Sequence, residues 1–502
     1  MRGVPSLISD IRKKVFTEVA RMAYNGDDYT KAEDLPFLIV PGDQPLHRES
    51  IFLERAIAGE RVRLAMGLSV RSVQTRSLMT EGMDHAAIAK QYYEPPLINI
   101  IPYACHACPA NRYWVTDVCQ NCLSASCQQV CPREAIKFVN GKSRIDPAKC
   151  IRCGKCAQAC AYHAIVHLER PCQAACGMDA IGSDENGRAT INQEKCVSCG
   201  QCLVSCPFGA IVDKGQIYQV VRSIMKGDKV IAIMAPAFAR QFGKDVTAAK
   251  LSSALRALGF ADVVEVAIGA DICAVEEAKD FLEKVPAKQP FMATSCCPAW
   301  HAMVHKLFPA QAKNISMTLT PMVYTARMVK REQPDARIVF VGPCAAKKLE
   351  AIREDIRSDV DFVLTFEELQ GMFEAKEVDF ESLEEDPKLK NAGTAAGRGF
   401  AVAGGVAQAV VDIIHAQHPD MEIKVANAEG LKDCRKLMTM AKTGKYNGFL
   451  LEGMACPGGC VAGAGTLLPI DQAVKGVETA KKLATRKNPL ESEFSGIAEE
   501  LV

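Results

Sequence analysis

The first 104 residues contain no cysteine, although the chain of 502 residues carries 23. Unbroken apolar runs long enough for a membrane span, about 18 residues, are also missing, so no membrane association is expected. Charge of one sign is not in excess either. The net charge is +1, which suggests neither nucleic acid nor an anionic membrane surface as a partner. The opening stretch, MRGVPSLISDIRKKVFTEVARMAY, is too charged and too periodic for a secretory leader. It predicts an amphipathic helix. Hydrophobic residues make up 48% of the chain, enough for two or three domains with real cores.

The cysteines are unevenly placed. Sixteen lie between Cys105 and Cys206, and seven are scattered over the rest. In a long chain without a leader, tight C-x-x-C runs point to metal clusters in a reducing cytoplasm rather than to disulfides. Three regions are expected: a helical segment over 1–98, a cluster-binding region over 99–215 and a large domain over 216–502. In the first, LHRESIFLERAIAGERVRLAMGL repeats apolar residues at three and four residue steps, which predicts a packing or docking helix. No chemistry is legible there.

The middle region repeats itself. CIRCGKCAQAC (150–160) and CVSCGQCLVSC (196–206) share the spacing C-x2-C-x2-C-x3-C of bacterial ferredoxins. Three cysteines of such a run wrap one 4Fe-4S cubane and the fourth reaches the other cubane of a pair. Soft thiolates suit iron–sulfur clusters; a zinc ribbon would pair C-x2-C units instead. The first run follows CQNCLSASCQQVCPREAI directly. This predicts one cubane on Cys119, Cys122, Cys127 and Cys160, and a second on Cys150, Cys153, Cys156 and Cys131. The second run has only Cys172 and Cys176 beside it, and the missing C-x-x-C lies upstream at Cys105 and Cys108. One ferredoxin-like unit therefore reads as inserted into another. Cys105, Cys108, Cys172 and Cys206 are expected to hold a third cubane, and Cys196, Cys199, Cys202 and Cys176 a fourth. The endings CPREAI, CAYHAI, CGMDAI and CPFGAI keep the register. His106 is left without a ligand role.

The large region alternates short apolar runs with helical patterns, as in α/β folds with parallel sheets. KVIAIMAPA (229–237), QPFMATSCCPAW (289–300), ARIVFVGPCAAKK (336–348) and NGFLLEGMACPGGC (447–460) read as buried strands followed by loops. Ligands of such sheets sit beyond the carboxyl ends of the strands. Cys297, Cys344, Cys456 and Cys460 are expected to converge there and could hold one more cubane. Cys456 and Cys460 would share a face if their segment were helical. The Gly-rich AGRGFAVAGG near 396–405 lacks the acidic residue and βαβ context of a dinucleotide site and is expected to approach the cluster instead.

TSCCPAW, GPCAAKKLE and EGMACPGGCVAGAG resemble, in order and spacing over roughly residues 215–470, the three signature stretches of the iron-only (FeFe) hydrogenases. GPC resembles the group B branch. The resemblance implies an H-cluster, a cubane joined through one cysteine sulfur to a two-iron unit carrying carbon monoxide, cyanide and an azadithiolate. By motif position Cys297, Cys344, Cys456 and Cys460 bind the cubane and Cys460 bridges to the two irons. Lys347 donates to a cyanide, Met454 packs beside the two-iron unit, and the glycines after Cys460 let the backbone approach the sulfurs. Cys296 is the implied proton carrier, followed by a water, Glu277, Ser316 and Asp280, with Glu276 the alternative to Glu277. Three positions depart from many members: Ala237 for a serine, Met322 for a glutamine and Gly342 for a methionine. Cys273 and Cys434 fall outside every signature and read as ordinary thiols.

The function so implied is interconversion of dihydrogen with protons and electrons. Four cubanes would relay electrons to a ferredoxin or another redox protein, and maturation proteins would supply the two-iron unit. A hydrogen-sensing regulatory protein and an iron–sulfur carrier are the alternatives.

Overall fold

The computed structural model describes all residues except 1–2, 27, 87–93, 355, 357–358 and 390–392. The N-terminal helix is Leu7–Tyr24, opened by a capping box between Ser6 and Ser9 that satisfies amide groups otherwise left bare. Its buried face carries Val15, Phe16, Val19 and Ala23, and it packs along helix Phe366–Ala375. A second long helix, Ile51–Ala65, starts on the Ser50 side chain. It lies against the cysteine-rich region through Ile57 and Leu64.

Four short antiparallel strand pairs build the cysteine-rich region, and their pairing is nested. Ile98–Ile100 pairs with Ile211–Asp213. Inside that pair, Arg112–Val115 joins Ile165–Leu168, and inside that one, Ile136–Val139 joins Lys142–Ile145. Ile181–Ser183 with Ala189–Ile191 completes the outer unit. Each C-x2-C-x2-C-x3-C run ends in a one-turn helix, Lys155–Gln158 or Gln201–Ser205, entered through a left-handed glycine, Gly154 or Gly200.

The remainder is α/β with two separate parallel sheets. One has the order Asp262–Glu265, Val230–Met234, Arg337–Gly342, Phe362–Thr365. The other has the order Met292–Ala293, Phe449–Met454, Lys424–Glu429. All four apolar runs expected to be strands are strands. Helix Ala267–Lys284 runs beside the second sheet and carries Cys273, fully buried. Among the described residues no helix is long and apolar enough to cross a membrane.

A buried charge network ties the parts together. Lys348 has a fully buried side chain. Its Nζ donates to Asp213 at 2.8 Å, to Glu368 at 3.0 Å and to the Lys214 carbonyl at 2.7 Å. Arg12 of the N-terminal helix bonds Glu367 at 2.6 Å and approaches Asp213 at 3.4 Å. One cluster of ions thus joins the first helix, the last strand of the cysteine-rich region and the α/β region. Removing one member of a buried pair leaves an uncompensated charge. Lys348→Met is therefore expected to lower unfolding stability by about 3–5 kcal/mol in chemical denaturation. Lys348→Met combined with Glu368→Gln should recover part of the loss.

Candidate functional site

Parallel pairing puts the carboxyl ends of Val230–Met234 and Arg337–Gly342 at one edge, and those of Met292–Ala293 and Phe449–Met454 at another. The loops that follow face one another across a single apolar cavity. Ala237, Cys296, Cys297, Cys344, Lys347, Met454, Cys456 and Cys460 all line it. Cys456 and Cys460 do not share a helix, as one reading allowed; Cys460 opens a short 3-10 helix, Cys460–Ala462. The strand ends at Met454 and the chain turns through Gly458 and Gly459, both at positive φ. A side chain at Gly459 would also strike the backbone of Val402 and Ala403. Of the glycines after Cys460, Gly463 lies against the Pro343 carbonyl, so there the close approach is to the GPC loop as well as to the cavity.

Cys296 and Cys297 both line the cavity, and their surroundings differ. Cys297 precedes helix Pro298–Leu307 and is nearly buried. Cys296 is pushed well above the ordinary thiol range by burial, then by the nearby Glu277 and Cys460. Glu277 is fully buried, and burial raises it to about 8. Its Oε1 accepts from the Ser295 amide at 3.4 Å, the Ser316 hydroxyl acts to lower it, and its Oε2 has no partner. Glu276 instead points outward to Lys279. Asp280, one turn on, pairs with Lys284 at 2.7 Å and is a quarter exposed. The structure thus brings together Cys296, Glu277, Ser316 and a solvent-reached Asp280. Lys347 is held by Glu350 at 2.5 Å and lies 3.5 Å from Thr320 Oγ1. Met322 lines the cavity. Gly342 does not appear on its wall; the Phe340 ring does, and it covers the position a side chain at 342 would take. Phe400 and Ala401 of the Gly-rich stretch also reach the cavity.

Fifteen of the sixteen clustered cysteines, all but Cys122, sort into groups. Cys105, Cys108, Cys172 and Cys206 surround one small cavity. Cys176, Cys196, Cys199 and Cys202 surround another. Cys127, Cys131, Cys156 and Cys160 pack in one buried cluster. Cys119 and Cys127 both contact Ser143, and Cys150 and Cys153 are the charged neighbours of Cys156. The repeated ending has a physical meaning. The alanines of CPREAI, CAYHAI and CGMDAI donate N–H to the sulfurs of Cys131, Cys160 and Cys176, each at 3.3 Å. Such donors favour thiolate over thiol and help to set cluster potentials. His106 is exposed and stacks on Phe208. Cys434 donates to the carbonyls of Ala428 and Met454 and stays outside the cavity.

The donor sets fit iron–sulfur groups. All 23 cysteines are free thiols. Among the described residues, no three His, Cys, Asp or Glu side chains close on a single point as around one ion; the sulfurs ring wider spaces. Burial raises Cys172 and Cys344 to about 11 and Cys199 to about 12, so loading must displace their protons.

Residues 228–464 match the profile of the iron-only hydrogenase large subunit, C-terminal domain. A 4Fe-4S binding domain matches 189–212 and a 4Fe-4S dicluster domain matches 112–161. Iron hydrogenase 1 of Clostridium pasteurianum is 30% identical over 387 residues, covering 66% of this chain and 67% of that one. The chain belongs to the iron-only hydrogenase family. A probable cytosolic Fe-S cluster assembly factor of Drosophila mojavensis is 26% identical over 332 residues, covering 54% of this chain and 68% of that one. The apo FeFe-hydrogenase of Chlamydomonas reinhardtii superposes with a TM-score of 0.45 at 23% identity, covering 55% of this chain and 89% of that one.

Three residues of this hydrogenase-family site were not singled out from the sequence. Gln201 donates to Cys456 Sγ at 3.1 Å, spanning the two regions, and nothing local announces that contact. Glu350 stands three residues after Lys347 in KKLE, a helical spacing that could have flagged it. Thr320 donates to it at 2.5 Å. The grouping also yields a test. Cys105→Ser should remove about four iron atoms, and the spectra of the cubanes within 119–160 should be unchanged in electron paramagnetic resonance. Loss of a signal from that inner unit would contradict the pairing.

Proposed function

We propose that this chain is an iron-only hydrogenase of the group B type. It interconverts dihydrogen with protons and electrons at an H-cluster and exchanges those electrons through four 4Fe-4S cubanes with a ferredoxin or similar redox protein. The observation that carries the reading is one cavity walled by Cys297, Cys344, Cys456 and Cys460 together with Cys296, Lys347 and Met454.

In this reading the first four thiolates hold the six-iron group, with Cys460 facing the two-iron unit that maturation proteins install. When bound, the group supplies an open iron site for heterolytic cleavage of dihydrogen. The residues around it supply charge and proton handling. Lys347 is an ammonium, held by Glu350 and raised by it, so it is placed to donate to an anionic ligand. Met454, 2% exposed, excludes water from the wall. Cys296 stays a neutral thiol and can both give and take a proton. Glu277 at about 8 is near the poise that proton transfer at neutral pH favours. Its Oε2 has no partner in the structure, so it is the carboxylate oxygen free to hydrogen-bond a bridging water. Ser316 and Asp280 carry the proton on, and Asp280 reaches solvent.

Electrons follow the other wall. Cys199 of the CGQC run lines both its own cubane cavity and the main one, and Gln201 touches Cys456. A cubane held by Cys176, Cys196, Cys199 and Cys202 would therefore adjoin the main cavity.

An iron–sulfur carrier, the alternative that a relative named as a probable cytosolic Fe-S cluster assembly factor suggests, needs neither Cys296 nor the Glu277 relay. The two cysteines should therefore fail differently. Cys297→Ser should impair assembly of the six-iron site, because a soft ligand is lost. Cys296→Ala should assemble it fully and turn over hydrogen about 100- to 10,000-fold more slowly. Near-normal turnover by fully loaded Cys296→Ala would refute the proton role.

A further inference from the structure

The cavity of Cys105, Cys108, Cys172 and Cys206 has two unusual neighbours. Arg61, on helix Ile51–Ala65, is 5% exposed. Its Nη2 donates to the Gly209 carbonyl at 2.9 Å, while Nε and Nη1 meet no acceptor. Gly209 belongs to the turn after Cys206, and its amide bonds the Cys206 carbonyl at 3.3 Å. Arg170 is 3% exposed and lines the same cavity. It donates to the carbonyls of Cys108, Gly182 and Gly187 and to the Ser183 hydroxyl, at 2.7–3.3 Å. Among the described residues, neither arginine hydrogen-bonds a carboxylate.

The other buried arginines differ. Arg12 bonds Glu367 and Arg398 bonds Glu265. Arg63 donates to carbonyls but has Glu60 and Glu81 as charged neighbours. Arg61 has Arg12 and Arg48 beside it, which share its sign; the one group near it that can become an anion is Cys206. A buried guanidinium without an anion is strongly disfavoured. Arg170 lines the cavity of the four thiols and Arg61 reaches the turn that follows one of them, Cys206, which implies that the missing negative charge belongs there.

We propose that Arg61 and Arg170 are the buried counter-cations of a 4Fe-4S cubane on Cys105, Cys108, Cys172 and Cys206. They hold its reduction potential above that of the neighbouring cubane on Cys176, Cys196, Cys199 and Cys202, so electrons that pass that cubane collect on it. This rests on the four-cubane reading given above. A cubane with four thiolates is negative, and accepting one electron, from dihydrogen or from the redox partner, makes it more so. No bond or proton need change. Positive charge fixed in a low-dielectric interior stabilises the reduced form more than the oxidised one. The cubane of Cys176, Cys196, Cys199 and Cys202 has no such neighbour among the described residues. Its nearby cation, Lys306, spends its ammonium on two surface carbonyls, of Glu194 and Cys196, where solvent screens it. The cysteine-free N-terminal segment thereby acquires a role: its second helix carries a charge to a cluster.

The test is a redox titration of the matured chain followed by electron paramagnetic resonance. The cubane concerned is identified as the signal absent from Cys105→Ser. Arg61→Met should shift its one-electron equilibrium at least tenfold toward the oxidised form, about 59 mV more negative. The other cubanes should move much less, and Arg61→Lys should keep most of the wild-type value. If Arg61→Met fails to hold this cubane while Arg61→Lys holds it, charge compensation is again supported. An unchanged potential in fully loaded Arg61→Met would overturn the proposal, as would equal loss of the cubane in both variants. Absence of that cubane from the wild-type chain would instead refute the four-cubane reading itself.

Discussion

Parallel strand pairing is the constraint on which the rest depends. Val230–Met234 and Arg337–Gly342 run in register in one sheet, Met292–Ala293 and Phe449–Met454 in the other. Parallel strands align their carboxyl ends, and the loops beyond them must meet whatever faces that edge. Here the two edges face each other. Cysteines separated by more than 150 positions, from Cys297 to Cys460, therefore share one cavity. The buried residues behind them, such as Ile231, Val341, Leu450 and Leu451, are fully inaccessible. They fix the strands so that the loops have little freedom in where they place sulfur.

The cysteine-rich region obeys a different rule. Its strands are only three or four residues long and could not hold a fold by hydrophobic burial alone. Its cores are largely sulfur and small aliphatics, Cys127 and Cys156 with Ile136 and Ile165 in the inner unit. Metal clusters supply the missing cohesion, as they do in other small metallo-domains. The outer unit is steadied from outside as well, by helix Ile51–Ala65 and by the ions around Asp213. The same helix that packs the region also delivers Arg61, so packing and electrostatics enter through one element.

How legible this was depended on how local the signal is. The four strand-and-loop runs were readable because a buried parallel strand is a short apolar run with a turn at its end. Strands Asp262–Glu265 and Lys424–Glu429 were missed because charged or polar residues cut their apolar stretches to one or two residues, so both lack that run. Ferredoxin spacing encodes which sulfur crosses to the neighbouring cluster, and for the outer unit the two sets of four read from it each surround one cavity. Glu277 and Glu276 could not be told apart from spacing; only Glu277 is buried within helix Ala267–Lys284, where it accepts from the Ser295 amide, a contact that no periodicity reveals. Gln201 on Cys456 and Arg61 beside Cys206 join positions far apart in the chain. Their partners are set by how whole elements pack. Gly342 shows the converse: its consequence was legible only once the Phe340 ring was seen lying over it.

Protein of the family can therefore be recognised from three short stretches, but its working chemistry depends on whether the common cavity holds a two-iron unit with diatomic ligands. Infrared spectroscopy of the chain produced together with hydrogenase maturation proteins tests this most directly. The account predicts absorption bands from iron-bound carbon monoxide and cyanide, present in the matured chain and absent from chain made without those proteins. Matured chain with its cubanes fully loaded and no such bands would contradict it.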